Sequence, residues 1–208
     1  PEVLADAKDR GDRLELVHMR LGMPFPLLLL DDRADDARAD AHDALALWGR
    51  SRMDLQRWYW VCSVAHADLY AGQPGAALEL VQSSWSAMRR ANVLRLQGMR
   101  VRATDLRARA TLSLALREGA DRDKLLRRVA RDARTLRREG AGWAGALGSL
   151  LDAQVWAARG DADRAEVARG EAEAGFEAAG MALHRAAAQA LASGDPTTGD
   201  LRAQAHAW

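Results

Sequence analysis

The stretch WAARGDADRAEVARGEAEAGFEAAGMALHRAA, residues Trp156–Ala187, decides the fold class of this chain. A glycine followed by an aspartate separates two segments in which alanines recur at helical spacing, and Gly180 ends the second segment. Glycine favours the left-handed conformation in which many helices end, and aspartate is a preferred residue at helix starts. The stretch therefore predicts three consecutive helices joined by two tight turns.

The same pattern recurs upstream, at Tyr70–Met88, where a glycine turn again precedes an alanine-rich helix. Gly72 and Gly160 each have an alanine five residues later, which is the spacing of the tetratricopeptide turn and its small packing residue. Around Gly11 and Gly119 that small residue is absent. We therefore predict an all-α fold, an α-solenoid of degenerate tetratricopeptide-like helical hairpins.

The bulk composition favours helices throughout the chain. Of its 208 residues, 49% are apolar and only 5 are prolines, while alanine, leucine and arginine dominate. No stretch alternates apolar and polar residues as a half-buried strand would. We expect about ten or eleven helices in a single helical-repeat domain over 1–208. A soft break is expected near 139–149, where a glycine-rich turn would precede a helix, whereas Val93–Arg117 is expected to be one helix.

Charge balance, cysteine content and the length of the apolar runs limit the functional classes open to the chain. The 30 basic residues nearly cancel the 29 acidic ones, which argues against a general polyanion binder. The single cysteine, Cys62, excludes an internal disulfide, and we expect a cytoplasmic protein. The apolar run Leu27–Leu30 is far too short to span a bilayer. Because the chain begins at Pro1 within a helical pattern, we expect it to be a segment of a longer protein.

The sequence carries no recognisable catalytic or cofactor-binding motif. It contains no glycine-rich phosphate loop, nucleophile elbow or His-Glu-x-x-His sequence, so no cofactor is expected. Cys62 and His66 stand one helical turn apart, the spacing of two metal ligands, yet a zinc site needs three or four protein ligands. We therefore interpret them as a core pair, and we predict no metal site and no enzyme activity for this segment.

Basic side chains form a stripe on the helix predicted over 121–138. Its members are Arg127, Arg131, Arg134 and Arg138, with Lys124 and Arg128 beside them. Aligned guanidinium groups can follow phosphates, yet no helix-turn-helix motif or base-stacking aromatic residues accompany this stripe. It also lies opposite a leucine face, where solvated charges belong. We interpret it as a solvated face or a surface for an acidic protein partner, and not as a nucleic-acid site.

Four residues are candidates for contact with a protein partner. Trp60 lies off the main apolar stripe of its helix, and Trp143 lies in the glycine-rich stretch, so both are expected to be partly exposed. Most other tryptophans fall on apolar stripes and are expected in the core. Arg102 and Arg109 complete the set, on the curved surface that alternate helices of a solenoid form. Arg109 should also pair with Asp105, one helical turn before it.

Two blocks of the sequence resemble a known family. The run ARGDADRAEVARGEAEAGFEAAGMALHRAAAQ, residues Ala158–Gln189, and the final LRAQAHAW resemble the C-terminal tail of large bacterial serine/threonine protein kinases. The block WYWVCSVAHADLYAG, Trp58–Gly72, resembles the same region. In that family a kinase domain is followed by an AAA-type ATPase and then by a long tetratricopeptide-like region. This chain contains no kinase motif, such as His-Arg-Asp or Asp-Phe-Gly, so no catalytic residue carries over.

The resemblance implies a regulatory protein–protein interaction module of a bacterial signalling protein, the C-terminal part of a serine/threonine protein kinase. Its partner would be a protein or peptide, or the catalytic domains of the same parent chain, and neither nucleic acid nor membrane insertion is implied. Signal-transduction ATPases of the LuxR and MalT type have similar tails. The alternative is therefore a ligand-sensing segment of such a transcriptional regulator. In both cases binding to the helical surface would bias the activity of the attached domains.

Overall fold

The protein is entirely helical wherever its structure is described. A computed structural model describes residues 2–21, 29, 31–117 and 121–193, and within these ranges no β-strand occurs. Ten α-helices are present there: α1 (Glu2–Asp9), α2 (Arg13–Leu21), α3 (Ala34–Trp48), α4 (Leu55–Tyr70), α5 (Pro74–Arg90), α6 (Gln97–Ala115), α7 (Arg122–Arg137), α8 (Gly142–Ala158), α9 (Ala162–Ala178) and α10 (Ala182–Ser193). A short 3-10 turn, Val93–Arg95, precedes α6. The predicted all-α fold is confirmed, whereas the final LRAQAHAW block lies outside the described residues.

The chain divides into two compact units, Pro1–Ala110 and Thr111–Trp208. In the first unit, each helix from α1 to α5 packs against the next one in sequence, and in the second the same holds from α7 to α10. Such packing between sequence neighbours is the arrangement of an α-solenoid, and it confirms the predicted series of helical hairpins. The boundary falls at 110/111, while the predicted soft break near 139–149 includes a short turn inside the second unit.

Glycine turns join several of the hairpins with one shared geometry. At Gly72 and Gly160 the backbone φ is +70° and +81°, in the left-handed region that glycine adopts without a steric penalty. In these two turns the residue after the glycine donates its N–H to the carbonyl oxygen five residues earlier, at 2.7 and 3.0 Å. Gly11 and Gly180 form the same turn, although Gly11 lacks the alanine five residues later. Gly119 lies outside the described residues.

Alanine determines how closely the helices of the first unit approach. Ala37, Ala41 and Ala44 of α3 are buried, and they pack on α2 and α4 in one apolar cluster with Val17, Leu21, Val64 and Ala67. Trp58, on a different face of α4, is fully buried in a second cluster with Met88 and Val93. Helix α4 therefore buries two faces, as its sequence pattern predicts for a helix inside a stack.

Two element boundaries differ from the prediction. The helix predicted over Val93–Arg117 is broken near its start, because Leu96 is extended between the 3-10 turn and α6. Asn92, just before the turn, adopts φ +61°. The glycine-rich turn predicted up to Gly148 is also wrong, because α8 begins at Gly142 and continues through it. Each glycine inside a helix weakens it by about 1 kcal/mol relative to alanine. Tertiary packing must therefore compensate for the glycines at the start and in the middle of α8.

Close helix approach explains one glycine in each of α8 and α9. A Cβ atom added to Gly148 would lie 2.6 Å from the carbonyl oxygen of Ala133 on α7. A Cβ atom added to Gly175 would lie 2.8 Å from the Cβ atom of Ala146. Both distances are far below van der Waals contact, so these glycines let α7, α8 and α9 pack tightly. By contrast, a Cβ atom at Gly145 would meet nothing within 4 Å.

Candidate binding groove

An arginine-rich groove lies between α7 and α8 of the second unit and has a volume of about 790 Å³. Its lining combines arginines with one aspartate, one alanine and one tryptophan: Arg127, Ala130, Arg131, Arg134, Arg137, Asp152, Trp156 and Arg159. Five arginines against one aspartate leave a formal excess of four positive charges. The protein as a whole carries a net charge of only +1, so this groove concentrates positive charge locally.

The arginine row follows from the amphipathic pattern of α7. Asp121 caps the helix, since its side chain accepts a hydrogen bond from the backbone N–H of Lys124 at 3.3 Å. The apolar face of α7 is buried and holds Leu126, Val129, Ala133 and Leu136. Arg127, Arg131 and Arg134 stand four and three residues apart, so they share one other face. At 1.5 Å per residue the row is about 10 Å long.

The three arginines of this row are exposed and unpaired. In the part of the chain that the structure describes, no carboxylate lies within ion-pair distance of Arg127, Arg131 or Arg134. Arg137 differs, because its Nη1 atom lies 2.5 Å from Oδ2 of Asp152. Burial raises the pKa of the Asp152 carboxyl group above its ordinary 3.8, and the charge of Arg137 opposes that rise. The one acid of the groove is therefore engaged by Arg137.

Trp156 forms an aromatic wall of the groove and carries two guanidinium groups. The Cζ atom of Arg164 lies 4.7 Å from the centre of its ring, and that of Arg159 lies 5.3 Å away. At such distances the cations are attracted by the electron-rich face of the indole. The Asp161 side chain accepts a hydrogen bond from the Arg164 backbone N–H at 3.1 Å and so fixes the start of α9. Nε of Arg164 also lies 3.5 Å from Oδ2 of Asp161, so Arg164 is partly neutralised by an ion pair. The ring contacts hold both cations beside the groove.

The groove continues toward α9 as a second cavity of about 310 Å³. Both cavities share Arg137, Asp152 and Trp156, and the second adds residues of α9: Asp163, Arg164, Val167, Ala168 and Glu171. Val167 is 65% exposed, an unusual degree for a valine that lines a concave surface. The track therefore has a strongly basic end and an end where apolar side chains and the carboxylates of Asp163 and Glu171 stand beside Arg164.

The two tryptophans predicted at a partner surface are partly exposed, and neither is in the lining of this groove. Trp60 is half-buried on α4 and meets the ring of His42 on α3 edge-on, with ring centres 5.6 Å apart. Trp143 is half-buried in the first turn of α8 and lines neither cavity. The same half-burial is found at Trp48, Trp85 and Trp156. Partial exposure therefore does not distinguish the two predicted tryptophans.

The two arginines predicted at that surface lie on one face of α6, in the first unit. Both are exposed, and the predicted pair with Asp105 forms, with Nη1 of Arg109 3.7 Å from Oδ2 of Asp105. Burial raises the pKa of the Asp105 carboxyl group, and the neighbouring Arg109 opposes the rise. Arg102 and Arg109 thus share a helix face, but Trp60 packs toward α3 and the structure does not join it to them.

Cys62 and His66 form a desolvated pair that is chemically quiet at neutral pH. Burial raises the pKa of the Cys62 thiol to about 12 and lowers the pKa of His66 to about 4, and nearby Arg109 lowers the latter further. Nδ1–H of His66 donates a hydrogen bond to the Cys62 carbonyl oxygen at 2.7 Å. A protonated thiol is a poor nucleophile and a poor metal ligand. Among the described residues, no three His, Cys, Asp or Glu side chains are placed to hold a metal ion.

The sequence pattern identified only part of the groove. It singled out the arginine row but placed Arg138 on it, where the structure has Arg137 in the lining. It assigned Trp156 to the core, although Arg159 three residues later and Arg164 eight residues later indicate cations near one ring. Helical wheels cannot show that α8 brings Trp156 against the arginine face of α7, because that depends on how the helices pack.

Comparison with known proteins adds no further identification. No protein-family model, no curated protein and no solved structure matches the chain. None of the helices in the described ranges is long and apolar enough to cross a membrane. A function for this chain is therefore inferred from the groove itself.

Proposed function

We propose that this chain is a protein-binding helical-repeat module and that the groove between α7 and α8 holds its partner. The observation that supports this most directly is the row of three exposed, unpaired arginines beside the half-buried Trp156. Arginine and tryptophan are the residues most enriched in binding hot spots, because each combines a large contact area with polar groups in fixed geometry. The groove offers both on rigid helices.

Binding, and not catalysis, suits the chemistry of this groove. Guanidinium groups stay protonated and act only as hydrogen-bond donors, so the arginine row can hold an anion but cannot move a proton. Asp152 is the only other ionisable group of the larger cavity, and it is engaged by Arg137. We therefore propose no enzyme activity for this segment.

The wider role that we propose is regulatory. The resemblance to bacterial serine/threonine protein kinases supports a cytoplasmic signalling protein of which this chain is the C-terminal part. A partner that binds the groove with different affinity in two states of the parent protein would shift their populations and so its activity. Kinase motifs in the coding sequence upstream would support this parent. A helix-turn-helix in the flanking sequence would instead support the LuxR/MalT-type regulator.

Site-specific crosslinking tests the proposed function. A photoreactive benzoyl-phenylalanine is placed at Val167, which is exposed within the groove, and at Leu191, which is exposed on α10 and lines neither cavity. In cells that express the protein, we expect a covalent protein adduct from position 167 only. The adduct should disappear when Arg131 and Arg134 are both changed to glutamine. Adducts with nucleic acid, or equal protein adducts from both positions, would overturn the proposal.

A second measurement addresses catalysis. The purified chain is incubated with labelled ATP and a generic protein substrate, and no phosphotransfer is expected. Transfer activity that co-purifies with the chain and persists in repeated preparations would contradict a purely binding role.

A further inference from the structure

We propose that the groove binds an extended acidic peptide segment, with carboxylates of the peptide on the arginine row of α7 and an aliphatic side chain against Val167 and Ala168 of α9. This inference rests on the proposed function, because it names the chemistry of the partner at the same site. It is carried by the charge pattern along the track, by the spacing of the arginines and by the acidic residues at its far end.

The spacing of the arginine row fits an extended peptide. Successive arginines are separated along α7 by about 6 Å, from Arg127 to Arg131, and by about 4.5 Å, from Arg131 to Arg134. In an extended chain, side chains on the same face recur about every 6.7 Å. The flexible arginine stems can absorb the small differences. Acidic residues at alternate positions of the peptide would therefore each meet one guanidinium group.

Carboxylates are suitable ligands for these arginines. A guanidinium group can donate two parallel hydrogen bonds to one carboxylate, which is stronger and more directional than a single charge contact. The row has no carboxylate partner from the described part of the chain, so a peptide would not have to displace existing ion pairs. The adjoining wall of Trp156 also excludes water from one side of these contacts, which strengthens them.

The far end of the track favours a peptide over a nucleic acid. Asp163 and Glu171 line the second cavity, next to the exposed Val167. A nucleic-acid strand carries a negative charge at every nucleotide, so it would bring phosphates against these two carboxylates. A peptide can carry acidic residues over the arginine row and an aliphatic residue over Val167. The mixed character of this cavity therefore distinguishes the two kinds of polymer.

Direct binding of defined probes tests the inference. The first probe is a fluorescein-labelled peptide of about nine residues, with glutamate at alternate positions of one half and leucine in the other. The second has glutamine in place of each glutamate, and the third is labelled oligothymidylate. By fluorescence anisotropy at low salt, the acidic peptide should bind at least about tenfold more tightly than the glutamine peptide or the oligonucleotide. Added salt should weaken its binding.

Matched variants locate the binding. Changing Arg131 and Arg134 together to glutamine should weaken binding of the acidic peptide by about tenfold or more. The control is Arg138→Gln, because Arg138 is exposed just after α7 and does not line the groove. This variant should bind the acidic peptide with an affinity within about twofold of that of the unchanged protein. Val167→Asp should weaken binding of the acidic peptide as well, because a further carboxylate would then face the apolar half of the peptide.

The outcomes separate this inference from the proposed function. Equal binding of the acidic and glutamine peptides, or equal loss in the groove and control variants, would overturn the acidic-peptide inference. If the crosslink at position 167 still captured a protein in an arginine-dependent manner, the proposed function would stand with a different peptide chemistry. Tighter binding of oligothymidylate than of the peptide, lost in the arginine double variant, would overturn both.

Discussion

Both units use helical hairpins with ion pairs between helices, such as Arg137 with Asp152 in the second unit, but α7 of the second unit also carries a row of arginines in a different setting. In the first unit, arginines connect neighbouring helices: Arg20 Nη2 lies 2.6 Å from Asp40 Oδ1, and Arg38 donates from Nε to Asp68 Oδ1 at 2.9 Å. Both pairs are partly shielded from solvent, and Asp68 is buried. In the second unit, three arginines of α7 face outward without a carboxylate partner among the described residues.

This difference shows that a repeat fold does not by itself assign a role to its charges. A half-buried ion pair between helices makes each partner necessary, because removal of one leaves a desolvated charge. An exposed and unpaired arginine contributes little to folding and remains free to bind an anion. The contrast between the units can therefore be measured as a difference in the free energy of unfolding.

The largest expected effect follows when one arginine of each unit is changed, in separate variants, to glutamine. Arg38→Gln leaves the buried Asp68 without its cation, and we expect it to lower the free energy of unfolding by about 2–3 kcal/mol. Arg131→Gln should change it by less than about 0.5 kcal/mol. Urea unfolding followed by circular dichroism measures both. A double change, Arg38→Gln with Asp68→Asn, should recover part of the loss.

A cost for Arg131→Gln as large as that for Arg38→Gln would break the contrast. It would mean that the arginine row stabilises the second unit and is not reserved for a ligand.

A somewhat smaller effect distinguishes two glycines of α8. Gly148→Ala places a methyl group 2.6 Å from the backbone carbonyl oxygen of Ala133, and we expect a loss of about 1–3 kcal/mol. Gly145→Ala meets nothing within 4 Å and should stabilise the helix by up to about 1 kcal/mol. Opposite shifts in urea midpoint are the expected result. Equal effects would show that packing against α7 does not depend on Gly148.

The smallest expected effect is a loss of unfolding free energy at mildly acidic pH, caused by protonation of His66 in the first unit. The pKa of His66 is about 4 in the folded protein against 6.5 in an unfolded chain, so between these values the unfolded state binds more protons. Stability is therefore lost as pH falls through this window, by about 1 kcal/mol from pH 7 to pH 5.5 for this group. Asp105 acts with the opposite sign, because its pKa is raised in the folded state.

Replacement of the histidine isolates its contribution. His66→Asn keeps a side-chain N–H that can reach the Cys62 carbonyl oxygen but removes the titration. The slope of unfolding free energy against pH, measured from pH 7 to pH 5.5, should become flatter in this variant. An unchanged slope would show that His66 is not the group whose protonation destabilises the first unit.

Much of the fold could be predicted because its determinants are local. Apolar residues at helical spacing predict the helices, and glycine followed by a polar residue predicts the turns at Gly72 and Gly160. Local pattern failed at Gly142–Gly148, where glycine usually indicates a turn but here permits close packing in α8. It also failed at Leu96, whose extended conformation separates the 3-10 turn from α6.

The candidate site was only half predictable. Spacing alone identified the arginine row, since residues three and four apart share a helix face. It could not identify Trp156 as part of the same site, because Trp156 lies on a different helix and its stripe is typical of a core position. Nor could it separate Trp60 and Trp143 from the other half-buried tryptophans.

The sequence by itself determined the helical class, most turn positions and the face on which the arginines of α7 lie. These properties depend on contacts within one or two turns of the chain, which residue spacing describes. Only the tertiary structure decided which arginines are paired, which glycines are packed and which aromatic wall adjoins the basic face. Those properties depend on residues far apart in sequence, because helix packing sets which side chains meet.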